Sequence, residues 1–201
     1  MKVRIKDIAD IQIGYQFRKG FDPNPFGEYL VIQVRDIDEQ NSHRLSAGGL
    51  ACTNLDRDPT RYLVRNGDVL FLSKGRRNSA TMVENLPDDH EAIAAGYFFI
   101  LRLDVTRLRP DFLAWSINGP RCQAYLNSEA QGSGMPFIPK DAFTSMKIDL
   151  PDLNTQHKVV KLHDLATQES RLLEQFQQKR NELIQGICTN AVRTIGRLTK
   201  E

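Results

Sequence analysis

Two periodicities divide this chain. Up to about residue 150, apolar residues come in short blocks separated by polar or glycine-containing stretches; beyond it they recur along an otherwise polar run. Residues 29–34 (Tyr-Leu-Val-Ile-Gln-Val) predict a β-branched strand. Residues 62–72 predict two short strands around a turn at Asn66-Gly67, a dipeptide favoured where φ is positive. Residues 92–103 are continuously apolar and aromatic and predict one buried strand. Residues 146–150 predict another, ended by Pro151. Between these, residues 14–27 read as a loop rich in glycine and proline, 36–58 as polar and irregular, 73–79 as a basic loop and 131–136 as a glycine loop. Residues 2–13 fit either a short strand and turn or the start of a helix. A helix begins at Arg109-Pro110-Asp111, with proline in its first turn, and runs through Phe112, Leu113, Trp115 and Ile117 to Asn127, interrupted at Gly119-Pro120.

From residue 155 to about 192 the apolar positions are Val159, Leu162, Leu165, Ala166, Leu172, Leu173, Phe176, Leu183, Ile184 and Ile187, at steps of mostly three, four or seven. These lie on one face of a helix whose other face is Gln, Glu, Lys and Arg. Asn154 or Thr155 is the expected N-cap. The stripe is narrow and interrupted by Glu169 and by Lys179 and Arg180, which suits a coiled-coil seam better than a core helix. At roughly 1.5 Å per residue such a helix is about 57 Å long, so its stripe needs a partner. The fold class expected is α+β: a β-rich body over 1–152, followed by a long C-terminal coiled-coil helix over 153–201.

A chain of 201 residues suffices for one sizeable core or one domain with an appendage. No run approaches the roughly 18 apolar residues of a membrane span, and the N-terminus alternates charged and apolar residues with no hydrophobic signal region. Three dispersed cysteines (Cys52, Cys122, Cys188) then read as free cytosolic thiols, and the expected location is cytoplasmic. The net charge of +2 is unevenly spread, with the basic excess after residue 152, so a nucleic-acid partner would have to be held by a local patch.

Such a patch exists at residues 73–77 (Ser-Lys-Gly-Arg-Arg). No acidic residue lies between Asp68 and Glu84, and Gly75 permits close backbone approach to a phosphate. The plainer reading is a solvated turn. Arg18-Lys19-Gly20 is a weaker version. The loop around Ser133 lacks the Gly-Lys-Ser/Thr ending of a nucleotide-binding P-loop, and Lys140 is too distant to supply it. His157 and His163 are six apart, the wrong spacing for a shared metal on a helix, and no cysteine pair has ligand spacing. No carboxylate pair or serine–histidine arrangement stands out as catalytic. Tyr97, Phe98, Phe99 and Trp115 could stack on bases, but their spacing reads as core.

The order Gly14…Phe17, Tyr29-Leu-Val-Ile-Gln-Val-Arg-Asp-Ile37, Gly67-Asp-Val-Leu-Phe-Leu-Ser-Lys-Gly75, Ala95-Gly-Tyr-Phe-Phe-Ile-Leu101, Pro110-Asp-Phe-Leu-Ala-Trp115, Gly132-Ser-Gly134, Ile138-Pro-Lys140 and Ile148-Asp-Leu-Pro151…Gln156 resembles the target recognition domain of type I restriction–modification specificity (S) subunits, with its following helix. The resemblance covers nearly the whole chain. It implies a non-enzymatic DNA reader without a cofactor of its own. In that family the recognition domain enters the DNA grooves, and antiparallel helices hold two methyltransferase subunits. Those subunits bind S-adenosylmethionine and flip out an adenine for N6 methylation; restriction subunits can join them.

A typical S subunit has two recognition domains and two helical regions, whereas this chain has one of each. The implied assembly is a homodimer of half subunits through Leu162, Leu165, Leu172, Phe176, Leu183 and Ile187, with an isologous interface. It would read two inverted half-sites around a spacer set by helix length. The family does not lend base-contacting residues. Local chemistry points first to Ser73, Lys74, Arg76 and Arg77, near phosphates or guanine edges, and then to Arg18, Lys19, Ser133 and Lys140. The alternative is an S-like structural protein whose coiled coil scaffolds another assembly without reading DNA.

Overall fold

The computed structural model describes residues 1–18, 20–38, 44–75 and 77–198, with only the backbone described for Arg44 and residues 192–198. The chain divides into two units, Met1–Val160 and Lys161–Glu201. The division falls beyond the expected 152/153 boundary because the first turns of the long helix belong to the body's core: Gln156 and Val160 are buried there.

The body carries β1 (Lys2–Arg4), β2 (Ala9–Ile13), β3 (Tyr29–Ile32), β4 (Ile37–Asp38), β5 (Arg44–Leu45), β6 (Ala51–Thr53), β7 (Leu63–Val64), β8 (Val69–Leu72), β9 (Ala80–Met82), β10 (Glu91–Ala94) and β11 (Phe98–Leu103). Helices α1 (Pro110–Asn118), α2 (Pro120–Glu129) and α3 (Lys140–Ser145) follow, then β12 (Lys147–Asp149) and the start of α4 (Leu153–Leu198). Two four-stranded sheets run in the orders β6-β3-β10-β7 and β2-β11-β8-β9; β1 pairs with β12 and β4 with β5.

Alternating side chains sort the strands into three cores. On β8, Leu70 and Leu72 face the space between the sheets; on β11, Phe98 and Ile100 do the same, meeting Ile32 of β3 and Ala94 of β10. The intervening Val69, Phe71, Phe99 and Leu101 face a larger core with α1, α2, α3 and β12. Val31 and Ile93 turn the other way, toward Tyr15, Phe17, Phe21 and Tyr62. A sheet covered on both faces reads as a continuous apolar run with no visible alternation. For that reason residues 92–103 are not the single strand expected but two. β10 and β11 lie in different sheets, joined by a turn over 95–97.

The turn at Asn66-Gly67 is present, with Gly67 at φ +94°, but β7 and β8 on either side of it also belong to different sheets. Residues 36–58 are less irregular than expected, since β6 pairs with β3 along one sheet edge. The residues at 2–13 resolve into β1, a short 3-10 turn and β2. Helices α1 and α2 follow the expected break at Gly119-Pro120. Helix α3, not anticipated, places Phe143 in the core, stacked on Phe71 with ring centroids 4.1 Å apart.

Helix α4 starts at Leu153, where the helical region was expected and two residues before its apolar pattern shows. Asp152, not Asn154 or Thr155, caps it: its carboxylate accepts the Thr155 N–H at 3.0 Å and the Thr155 hydroxyl at 2.7 Å. One turn in, the fully buried Gln156 donates to the carbonyls of Arg107 (3.0 Å) and Pro151 (2.8 Å) and accepts the Arg109 N–H (2.9 Å). That N–H belongs to the residue capping α1, so one amide ties the starts of two helices together.

Candidate nucleic-acid interface

The basic loop after β8 and the glycine loop before α3 are brought together by backbone pairing. The Gly75 N–H donates to Pro136 O and the Ile138 N–H to Ser73 O, both at 2.8 Å, and Lys74 pairs with Phe137 as an isolated antiparallel bridge. The glycine loop also closes on itself, with Gln131 and Phe137 exchanging two hydrogen bonds of 3.0 and 2.8 Å. Gly75 sits at φ +127°, a conformation that side chains at that position resist.

Within this frame the expected site residues take different roles. Ser73 is buried; its N–H and its hydroxyl both bond to Tyr97 O, at 2.9 and 2.8 Å. It therefore holds the loop in place instead of facing a ligand. Lys74 is half-buried, its ammonium 5.9 Å from the centre of the Tyr97 ring. Arg77 and Ser133 are exposed. Lys140, at the first position of α3, donates its Nζ to Ile11 O at 2.7 Å, which turns it to bracing the fold. Arg18 is exposed. Its charge contributes to lowering the Asp56 carboxyl, although the Tyr15 hydroxyl hydrogen bond is the larger cause. Lys19 and Arg76 lie outside the described residues.

Beside this paired frame is a cleft of about 610 Å³ whose walls include Phe17, Phe21, Arg35, Lys74, Tyr97 and Met135. The loop carrying Arg18 forms one wall through its neighbours Phe17, Gly20 and Phe21. Two cations, Arg35 and Lys74, thus stand at an aromatic cleft with the exposed Met135 at its edge. Behind it, Tyr15 is edge-on to Phe17 at 4.9 Å, and the Arg57 guanidinium lies 4.6 Å from the Tyr15 ring centre, giving the wall a packed backing. Sequence reasoning missed Arg35 and Met135 and took Tyr97 for core. Phe98 and Phe99 are core, at 1% and 5% exposure, but Tyr97 is 44% exposed. The turn between β10 and β11 rotates it out. Its signal was the Ala95-Gly96 step before it, concealed within an apolar run.

The second unit offers a different surface. Leu162, Leu165, Leu172, Phe176, Leu183 and Ile187 are all exposed, between 54% and 70%. His157 and His163 are exposed on the same helix. Among the described residues no group of three or more His, Cys, Asp or Glu could hold a metal ion, and no helix is long and apolar enough to cross a membrane.

Comparison with known proteins agrees with this architecture. Several solved structures share the fold, among them these three. An S subunit of a type I restriction-modification system from M. genitalium matches at 16% identity and a TM-score of 0.55, over 87% of this chain and 40% of that one. The HsdS subunit from Thermoanaerobacter tengcongensis matches at 18% identity and a TM-score of 0.60, over 88% and 39%. A chain from a structure describing complex assembly and conformational transition of the type I R-M system matches at 20% identity and a TM-score of 0.66, over 89% and 41%. The chain thus spans about two fifths of the length of these structures. No curated protein sequence matches it. The family model described as the type I restriction modification DNA specificity domain matches residues 1–183, nearly the whole chain. The chain belongs to the type I restriction modification DNA specificity domain family.

Proposed function

We propose that this chain is the DNA-reading subunit of a type I restriction–modification complex, acting as a homodimer of half subunits. The observation that carries the reading is the joining of the basic loop and the glycine loop beside one aromatic cleft that also carries Arg35. Sequence-independent affinity would come from Lys74, Arg77, Arg35 and Arg18 against phosphates, with base edges met by the loop tips around Ser133 and Met135. The chemistry lies elsewhere: methyltransferase subunits carrying S-adenosylmethionine would modify the adenine, and a restriction subunit could join them.

The exposed stripe of α4 supports self-association, and a second copy would supply the second reader and second helix. The site read would be two inverted half-sites around a spacer fixed by the helix pair. The test is to co-express the chain with its methyltransferase subunit and map adenine methylation across a genome. A bipartite inverted motif is expected, and deletion of two helical turns from the middle of α4 should shorten its spacer. An unchanged spacer would end the ruler idea, and the absence of any methylation motif or salt-dependent DNA binding would favour a purely structural role.

A further inference from the structure

The α4 stripe has a symmetry that a surface for an unrelated partner would not need. Within residues 161–190 its aliphatic and aromatic members are Leu162, Leu165, Ala166, Leu172, Leu173, Phe176, Leu183, Ile184 and Ile187. Reflection about the point midway between Glu174 and Gln175 carries Leu162 onto Ile187, Leu165 onto Ile184, Ala166 onto Leu183 and Leu173 onto Phe176. Leu172 alone falls on a polar residue, Gln177. The same reflection exchanges the two charged interruptions, Glu169 and Arg180. At about 100° per residue both lie within roughly 20° of the stripe's midline. Neither forms an ion pair among the described residues; Lys179, beside Arg180, is engaged with Glu182 at 3.0 Å on its own helix.

Resting on the homodimer reading above and on the antiparallel helices that the family resemblance implies, we infer the register in which α4 pairs with the α4 of a second copy. The two-fold axis passes between Glu174 and Gln175, and Glu169 faces the partner's Arg180. Parallel pairing would set each residue beside its own copy, glutamate against glutamate and arginine against arginine, within the seam. Antiparallel pairing in this register makes two opposite-charge pairs and apposes apolar residues at eight of the nine positions. The charge along the helix points the same way. Residues 161–174 hold two basic and three acidic residues, and residues 175–188, which this register lays against them, two basic and one acidic. Antiparallel pairing lays the acidic half of each helix along the basic half of the other.

The test is charge reversal in the full chain, read as the dimer dissociation constant by sedimentation equilibrium at low salt. Glu169→Arg and Arg180→Glu each create two like-charge pairs in this register and should weaken the dimer roughly tenfold or more. The double variant should recover to within about threefold of the wild type. Circular dichroism at concentrations high enough for each variant to dimerise confirms that the helix still forms, because both positions are exposed on a single helix. Single variants that leave dimerisation unchanged, or a double variant as weak as the singles, would overturn the register while leaving the homodimer standing. A wild-type chain that remains monomeric at every concentration would remove the homodimer itself, and the register with it.

Discussion

Replacing Gln156 with methionine isolates what joins α4 to the body. The two side chains are similar in length and volume, so the change opens little cavity, but it removes three hydrogen bonds from a fully buried site. The Arg109 N–H loses its acceptor, an orphan costing about 1–3 kcal/mol, and the Arg107 and Pro151 carbonyls each lose about 1 kcal/mol. The sum is about 3–5 kcal/mol, or a fall in Tm of roughly 6–20 °C for a chain of this size. Urea unfolding followed by circular dichroism at one fixed protein concentration measures it, because self-association would add a concentration-dependent contribution. Gln156→Glu keeps an acceptor but sets a carboxylate against two carbonyl oxygens, and at pH 7 should cost more than methionine. Gln123 is a useful comparator: half-buried, it donates to Asn78 O and Ile117 O at 2.8 and 2.9 Å, so Gln123→Met should cost about 1–2 kcal/mol. A loss below about 1 kcal/mol for Gln156→Met would mean that water or neighbouring groups satisfy the three partners, and the amide would not be the fastening argued for.

Three further outcomes are expected. Phe143→Ala removes a fully buried ring stacked on Phe71 and should lower the unfolding free energy by about 3–5 kcal/mol in the same urea assay. Lys74→Gln should weaken binding to all DNA sequences alike and reduce the slope of log affinity against log salt by about 1, measured by fluorescence anisotropy. Burial raises the Asp68 carboxyl above its ordinary 3.8, outweighing the Arg65 N–H and the Arg102 guanidinium that oppose the shift. The folded state then holds this proton more tightly than the unfolded chain does. The resulting stability is fully present below about pH 3.8 and is lost as pH rises through the raised value. Against Asp68→Asn, which does not titrate, the wild type should therefore fare better at pH 4 than at pH 7; a difference in urea midpoints independent of pH would refute this.

Much of this architecture is legible in the sequence, and the failures share a cause. The α4 stripe, the α1–α2 break at Gly119-Pro120 and the Asn66-Gly67 turn depend on local chemistry and are readable locally. What is hidden is strand partnership. Val69, Leu70, Phe71 and Leu72 are all buried, yet alternate residues serve different cores. An apolar run therefore does not reveal which sheet it joins or where it breaks, and Tyr97 passed for a core residue for that reason. Helix α3 is too short for a helical period to show. Ser73 illustrates the reverse error: in a basic polar loop its hydroxyl suggests a ligand contact, whereas the fold uses it to tie the loop to Tyr97. The cleft cations Arg35 and Lys74 are 39 residues apart. Lys74 is readable as part of a charged cluster, but Arg35 becomes visible only once β3 and the loop after β8 are placed in space.

The start of helix α4 is fastened to the body through Asp152 and Gln156. Over residues 161–190, its apolar members lie open to solvent. Isolated helices gain little from propensity in water, and most helical stability comes from covering an apolar face. Covering a leucine already half or more exposed contributes up to about 1.5 kcal/mol. With several such residues in the stripe, the order of this helix and the pairing of two copies should be one coupled event. Under the antiparallel pairing proposed above, association then does more than bring two readers together. It sets the helix pair that fixes their separation, so discrimination between spacers should appear only at concentrations where the dimer forms. Below that range a single copy retains the loops proposed above to meet DNA, held by Ser73 and the 131–138 pairing, and should bind half-sites without regard to their spacing.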